Sequence, residues 1–155
     1  MIRCMQALDI INEKNGENCI LSHLDWSGKH FKFDENNEIT IIYDWDSLFY
    51  TDLYGSIARA ALTYVYNDEI GKPGFSTIEE IERFIHLYEE YQGRNFTSDE
   101  YVQIAGHLTY ISSKICKIRA TFIGNSADDV KRLESDHLFL DLKNAEKGFY
   151  PIKRI

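Results

Sequence analysis

SHLDWSGKHFKFDENNEITIIYDWDS, residues 22–47, sets two histidines and three of its four aspartates on either side of what reads as one tight hairpin. Residues 31–33 and 39–43 alternate or run apolar in the manner of short strands. Residues 34–38 between them, Asp-Glu-Asn-Asn-Glu, belong to the types that tolerate tight turns. A hairpin brings the two ends of the stretch together. His23-Leu24-Asp25 and His30 stand ahead of its first strand, and Asp44-Trp45-Asp46 follows its second. The spacing therefore predicts a catalytic-type loop and an acidic loop facing one small volume.

Those residues also carry a resemblance. A histidine, one residue, an aspartate, a polar residue five positions further on (His30), and then Ile41-Ile42-Tyr43-Asp44-Trp45-Asp46-Ser47 is similar to the catalytic loop and metal-binding aspartate of the aminoglycoside phosphotransferase family. That family includes choline kinase-like and other small-molecule kinases and is distantly related to the protein kinases. The resemblance implies that Asp25 accepts or orients the proton of the attacking hydroxyl, and that Asp44 holds magnesium on the phosphates of ATP or GTP. His23 would fix the loop through backbone bonds, and Asp46 would be a further metal-side or substrate-facing acid. Phosphoryl transfer asks little covalent chemistry of a protein, so a positioned base and a cation on the phosphates carry most of it.

Two departures accompany the resemblance. The family has an asparagine where this chain has His30, and magnesium prefers oxygen while imidazole suits zinc, copper, nickel or iron. His30 then either contacts phosphate, as Lys29 beside it would, or occupies a second metal position. The family's nucleotide-binding lobe, with its strand-borne lysine, precedes the motif, whereas only residues 1–21 do so here. The expectation is the C-terminal, catalytic lobe of a kinase-like fold in a single domain over residues 1–155. The nucleotide-binding lobe would be absent or on a separate chain, so the chain alone is expected to bind ATP or GTP weakly and to be incomplete or inactive, and self-association is the other way to cover the exposed side.

Composition bounds the remaining classes. A chain of 155 residues with 44% hydrophobic and 14% aromatic content builds one substantial core and is not a disordered segment. Seventeen basic against 25 acidic residues, net −8, excludes nonspecific nucleic-acid binding, which needs a basic footprint. The same balance suits a small hydroxyl-bearing substrate that is cationic. Cys4, Cys19 and Cys116 are odd in number and fit no metal or redox spacing, so they read as reduced thiols. With no membrane-length apolar run and no signal-peptide pattern, the expected location is the cytoplasm and no membrane partner is expected.

Beyond the hairpin the pattern turns helical, making the expected class α+β and mainly α. Residues 52–67 read as a buried helix, with Tyr54, Ile57, Ala58, Ala61, Leu62, Val65 and Tyr66 at helical spacing. Gly71-Lys72-Pro73-Gly74 stops it. Ser76 or Thr77, each with a glutamate three residues on, caps a second helix that carries Ile78, Ile81, Ile85, Tyr88 and Tyr91 and ends near Gly93. Thr97-Ser98-Asp99-Glu100 is another capping box, with Phe96 and Tyr101 as its hydrophobic staple. The stripe Tyr101, Ile104, Leu108, Ile111, Ile115 and Ile118 marks the core's central helix. A fourth helix is expected from residue 126, bearing Val130, Leu133, His137, Leu138 and Leu140, and a first one over residues 2–11.

Other readings compete. A noncatalytic binding or assembly module would keep the lobe's fold without turnover. A hydrolase metal cluster would use His23, Asp25, His30, Asp44 and Asp46. His86, His107 and His137 have no partner by spacing and read as surface or core residues. Glu89, Glu90, Asp99 and Glu100 read as a wet helix face, with substrate-amine binding as the alternative. Tyr88, Tyr91 and Tyr101 read as core, with an aromatic pocket for a cationic group as theirs.

Overall fold

In the computed structural model the hairpin of residues 31–42 is the tip of a longer, interrupted one. The structure describes residues 18–65 and 75–122, together with Ala7, Asp9, residues 126–128, Lys131, Leu140, Asp141, Tyr150 and Ile152. Strand β1 (Cys19–His23) leads into β2 (Phe31–Phe33) and β3 (Ile39–Ile42), and the chain returns through β4 (Leu48–Asp52). The inner pair, β2 and β3, aligns Phe31 with Ile42 and Lys32 with Ile41, then shifts register so that Phe33 meets Ile39. The outer pair is β1 and β4, antiparallel from Cys19 opposite Asp52 to His23 opposite Leu48. Two short antiparallel ribbons are thus nested along one out-and-back path.

The turn forms as its residue types dictate. Asp34 Oδ1 accepts the backbone N–H groups of Asn36 and Glu38, both at 2.9 Å, and Asn37 takes a left-handed φ of 63° that asparagine tolerates. Strand β4 departs from the sequence expectation, in which a loop ran directly into a helix at Asp52. Leu-Phe-Tyr-Thr-Asp has no strict alternation to announce a strand, and its partner lies far back in the chain at β1.

Among the described residues three helices are seen from end to end in this α+β fold: α1 (Leu53–Thr63), α2 (Ile78–Gln92) and α3 (Ser98–Phe122). Asp52 caps α1, its carboxylate accepting the Gly55 N–H at 2.9 Å. Thr77, rather than Ser76, caps α2: its hydroxyl accepts from Glu80 N and its own N–H donates to Glu80 Oε2, at 3.3 and 2.9 Å. Gly93 ends α2 at a left-handed φ of 72°. Thr97 and Glu100 form the second reciprocal pair at α3, and the Phe96 and Tyr101 rings close the staple with centroids 6.0 Å apart.

The core is where these helices meet. Ile57, Ala58, Ala61 and Leu62 of α1 pack with Ile81 and Ile85 of α2, Ile104, Leu108 and Ile111 of α3, and Phe96. Two of the expected core residues are exposed instead, and Val65 lies past the end of α1 and is only partly buried. Tyr91 is 92% exposed, because at 100° per residue it sits roughly 80° around the helix from Ile81. Ile118 is 56% exposed although it shares the stripe, since no described element covers that end of α3. The helices expected over residues 2–11 and from residue 126, and the turn at residues 71–74, fall outside the described residues apart from isolated positions. No described helix is long and apolar enough to cross a membrane.

Candidate functional site

Where the outer ribbon gives way to the inner one, residues 24–30 and 43–47 bulge out opposite each other. Two backbone bonds clamp them: Leu24 N–H donates to Ser47 O at 2.9 Å, and Tyr43 N–H to His30 O at 2.8 Å. A short 3₁₀ turn completes each loop, Gly28–His30 in the first and Trp45–Ser47 in the second. Between the clamps the side chains of Asp25, His30 and Asp44 converge, with one donor atom from each lying within 4.8 Å of the others.

His23 organises the first loop. At 2% exposure it ends β1, its Nδ1 accepts the Asp25 N–H at 3.1 Å, and its Nε2 lies 3.0 Å from Tyr43 O. An amide N–H can only donate and a carbonyl can only accept, so the ring is the Nε2–H tautomer and both nitrogens are used. It therefore pins Asp25 to the partner loop and has no lone pair left for a metal. Its ring packs against Trp26 and Trp45, with centroids 5.2 and 5.7 Å away.

His30 is wired differently. Its Nδ1 lies 2.9 Å from the Asp25 carbonyl oxygen, so that nitrogen carries the proton, while Nε2 stands 3.5 Å from Asp44 Oδ2. The ring is only 12% exposed, while the Asp25 and Asp44 side chains are close to half exposed. Asp44 sits at φ 66° and ψ 43°, a left-handed conformation that aspartate accepts more readily than most residues. Asp46 lies beside this trio and outside it. A hydrogen bond and like charge from Asp44 raise its carboxyl above the ordinary aspartate range. Lys29 is exposed on the first 3₁₀ turn.

The loops are anchored to α1 by residues that no motif advertises. Thr63 Oγ1 donates to Trp26 O at 2.8 Å, Trp26 Nε1 donates to Ser22 Oγ at 3.3 Å, and the Ser22 and Ser56 hydroxyls bond each other. A cavity of about 510 Å³ opens behind His23, walled by Trp26, Phe31, Trp45, Ile57, Phe84 and Tyr88 among others. Its surface is mostly apolar, with Ser22 and Ser56 bonded to each other and His23 committed to backbone atoms.

Several residues read differently from expectation. His107 has a partner: its Nε2 meets Asp52 Oδ1 at 3.0 Å, both side chains being largely buried. Burial alone would push the Asp52 carboxyl up, but the bond from His107, the Gly55 N–H and the imidazole's charge together hold it below its ordinary value. His86 faces Glu90 at 3.4 Å, and His137 lies outside the described residues. Glu89 is buried, accepting from Phe96 N–H at 2.6 Å and Tyr101 OH at 3.0 Å, and Glu100 takes a bidentate pair from Arg94. Neither is a wet-face acid. The tyrosines do not form one pocket: Tyr88 stacks on Phe96, Tyr91 is exposed and Tyr101 is bound to Glu89.

The converging donors are one imidazole nitrogen and two carboxylates. Magnesium, which the family resemblance implies, takes oxygen ligands almost exclusively, so the set as a whole does not fit it. Comparison with protein families, curated proteins and solved structures finds no match for this chain.

Proposed function

We infer that the chain is the catalytic lobe of a kinase-like small-molecule phosphotransferase, moving the terminal phosphate of ATP or GTP to a hydroxyl. The observation that carries the reading is the convergence of Asp25, His30 and Asp44 from two clamped loops, at the spacing the aminoglycoside phosphotransferase pattern requires. The order of strand, loop, hairpin, loop and helix supports the same kinase-like lobe.

In this mechanism the acceptor's oxygen attacks the terminal phosphorus as the bond to the bridging oxygen breaks, and the hydroxyl proton passes to Asp25. Asp25 suits the role because its backbone is held from both sides, by His23 at its N–H and by His30 at its carbonyl, while its carboxylate stays open to solvent. Asp44 faces the nucleotide's phosphates. Two carboxylates and a polyphosphate repel one another, so a cation must lie among them. The local surplus of negative charge from Asp25, Asp44 and Asp46 favours a cationic acceptor.

The test is a transfer assay with ATP and GTP over a panel of aminoglycoside and choline-type hydroxyl compounds. Asp25→Ala should lower turnover by ~100-fold or more, a far larger effect than its weakening of nucleotide affinity. Asp44→Ala should weaken nucleotide binding as well. Equal, small effects of both substitutions on an active preparation would overturn the mechanism.

A second reading, a noncatalytic assembly module, draws on the apolar residues that the ribbons leave exposed, among them Leu21, Phe49 and Tyr50. A chain that binds no nucleotide with any divalent cation, yet associates with itself, would favour it.

A further inference from the structure

His30 is the point at which the chemistry of the cluster departs from an oxygen-only site. Its Nδ1–H is committed to the Asp25 carbonyl, so the lone pair left on the ring is at Nε2, on the side of Asp44. The distance from Nε2 to Asp44 Oδ2, 3.5 Å, exceeds the roughly 2.7–2.9 Å of a charge-assisted hydrogen bond. Two acceptors thus face each other across a gap. Ligand distances of about 2.0–2.2 Å to nitrogen and oxygen let one zinc-sized ion bridge such a gap at close to a tetrahedral angle.

We propose that Asp25, His30 and Asp44 bind a single borderline divalent cation of the zinc class in preference to magnesium. The ring is already held as a ligating histidine is held elsewhere: a metal-bound imidazole almost always donates its other N–H to a carbonyl or carboxylate, which sets tautomer and ring plane before the ion arrives. Here the Asp25 carbonyl does so, on a ring that is largely buried. His23, the nearest other imidazole among the described residues, has both nitrogens occupied and does not compete. Asp25 completes the set: one of its carboxylate oxygens lies within the common 4.8 Å span of the His30 and Asp44 ligand atoms. Three protein donors leave a position for water or for a phosphate oxygen. The use of that position in phosphoryl transfer rests on the phosphotransferase reading; the binding of the ion does not.

The experiment is calorimetric titration of the chelator-stripped chain with zinc chloride and with magnesium chloride, paired with nitrogen-15 spectra of the histidine rings. Zinc should bind at one ion per chain, at least ~100-fold more tightly than magnesium, and should move the His30 Nε2 resonance while leaving His23 in place. His30→Ala should lose most of the zinc affinity, and His30→Asn should narrow the gap between the two metals. His86 with Glu90 is a second imidazole and carboxylate pair, so His86→Gln is the control and should retain the binding. Equal affinity for the two ions, an unmoved His30 resonance, or loss of binding in His86→Gln would each overturn the proposal. The spectra use the unmodified chain, so the answer does not depend on a variant folding. A chain that binds zinc at His30 but transfers no phosphate, alone or with a supplied nucleotide-binding lobe, upholds this proposal and removes the phosphotransferase reading. A chain that transfers phosphate with magnesium while zinc leaves His30 untouched does the reverse.

Discussion

His23 and His30 have ring centroids 5.9 Å apart and do opposite work, because each has committed different nitrogens to the backbone. Replacing His23 by Phe preserves a buried ring but leaves the Asp25 N–H and the Tyr43 carbonyl without their partner. That should destabilise the fold by about 1–3 kcal/mol in urea unfolding, and a midpoint unchanged from wild type would show that the loops hold without it. Glu100 makes a second residue-scale argument. Chiefly the Arg94 fork, against the opposing effect of burial and with help from Thr97 N–H and Tyr54 OH, holds its carboxyl down at about 2 from an ordinary 4.5. A depressed folded-state value means that its stabilisation is complete above about 4.5 and is lost as pH falls toward about 2. The stability difference between wild type and Glu100→Gln should therefore be constant near neutrality and shrink through that window; a pH-independent difference would contradict the linkage.

At the scale of elements, helix boundaries were readable because their chemistry is local. Thr77 and Glu80, Thr97 and Glu100, and Gly93 each act within a few residues of themselves, so spacing locates the start of α2 to within one residue, at Ser76 or Thr77, together with its end and the start of α3. Thr77→Ala should cost about 1 kcal/mol through loss of the cap. Gly93→Ala should cost about 1–2 kcal/mol, and the whole of it is backbone strain at positive φ, since a methyl group there would meet no atom within 4 Å. Thermal melts of the two variants check both, and a neutral Gly93→Ala would mean the left-handed cap is not held in solution. Strand β4 and the Asp52–His107 contact were not readable. Each joins residues distant in sequence, and neither partner carries a local signature of the other.

For the whole molecule, the unusual property is apolar surface on the ribbons. The cross-strand pairs Leu21 with Tyr50 and Phe33 with Ile39 are exposed, one on each ribbon, and Trp45 adds to them beside the site. Exposed large apolar side chains on strand pairs of this kind mark an interaction face or an association hazard. Light scattering over a dilution series should show mass rising with concentration, and Tyr50→Lys combined with Ile39→Lys should suppress the rise. A strictly monomeric wild type that binds no hydrophobic dye would count against such a face.

By itself the sequence determined the turn at residues 34–38, the two capping boxes, the stop at Gly93, the apolar stripes and the pairing of a His23-to-His30 loop with Asp44. All of these depend on side-chain type at short spacing, where backbone geometry leaves few alternatives. Tertiary structure decided the rest: that β1 reaches across to β4, that Glu89 is buried under Phe96 and Tyr101, that Ile118 is left uncovered, and that a ring nitrogen of His30, but none of His23, remains to act. Those outcomes depend on which distant surfaces meet. Hydrophobic periodicity says that a face will be covered, but long-range packing selects the partner, and a hydrogen bond to a backbone atom of another loop exists only once that loop has arrived.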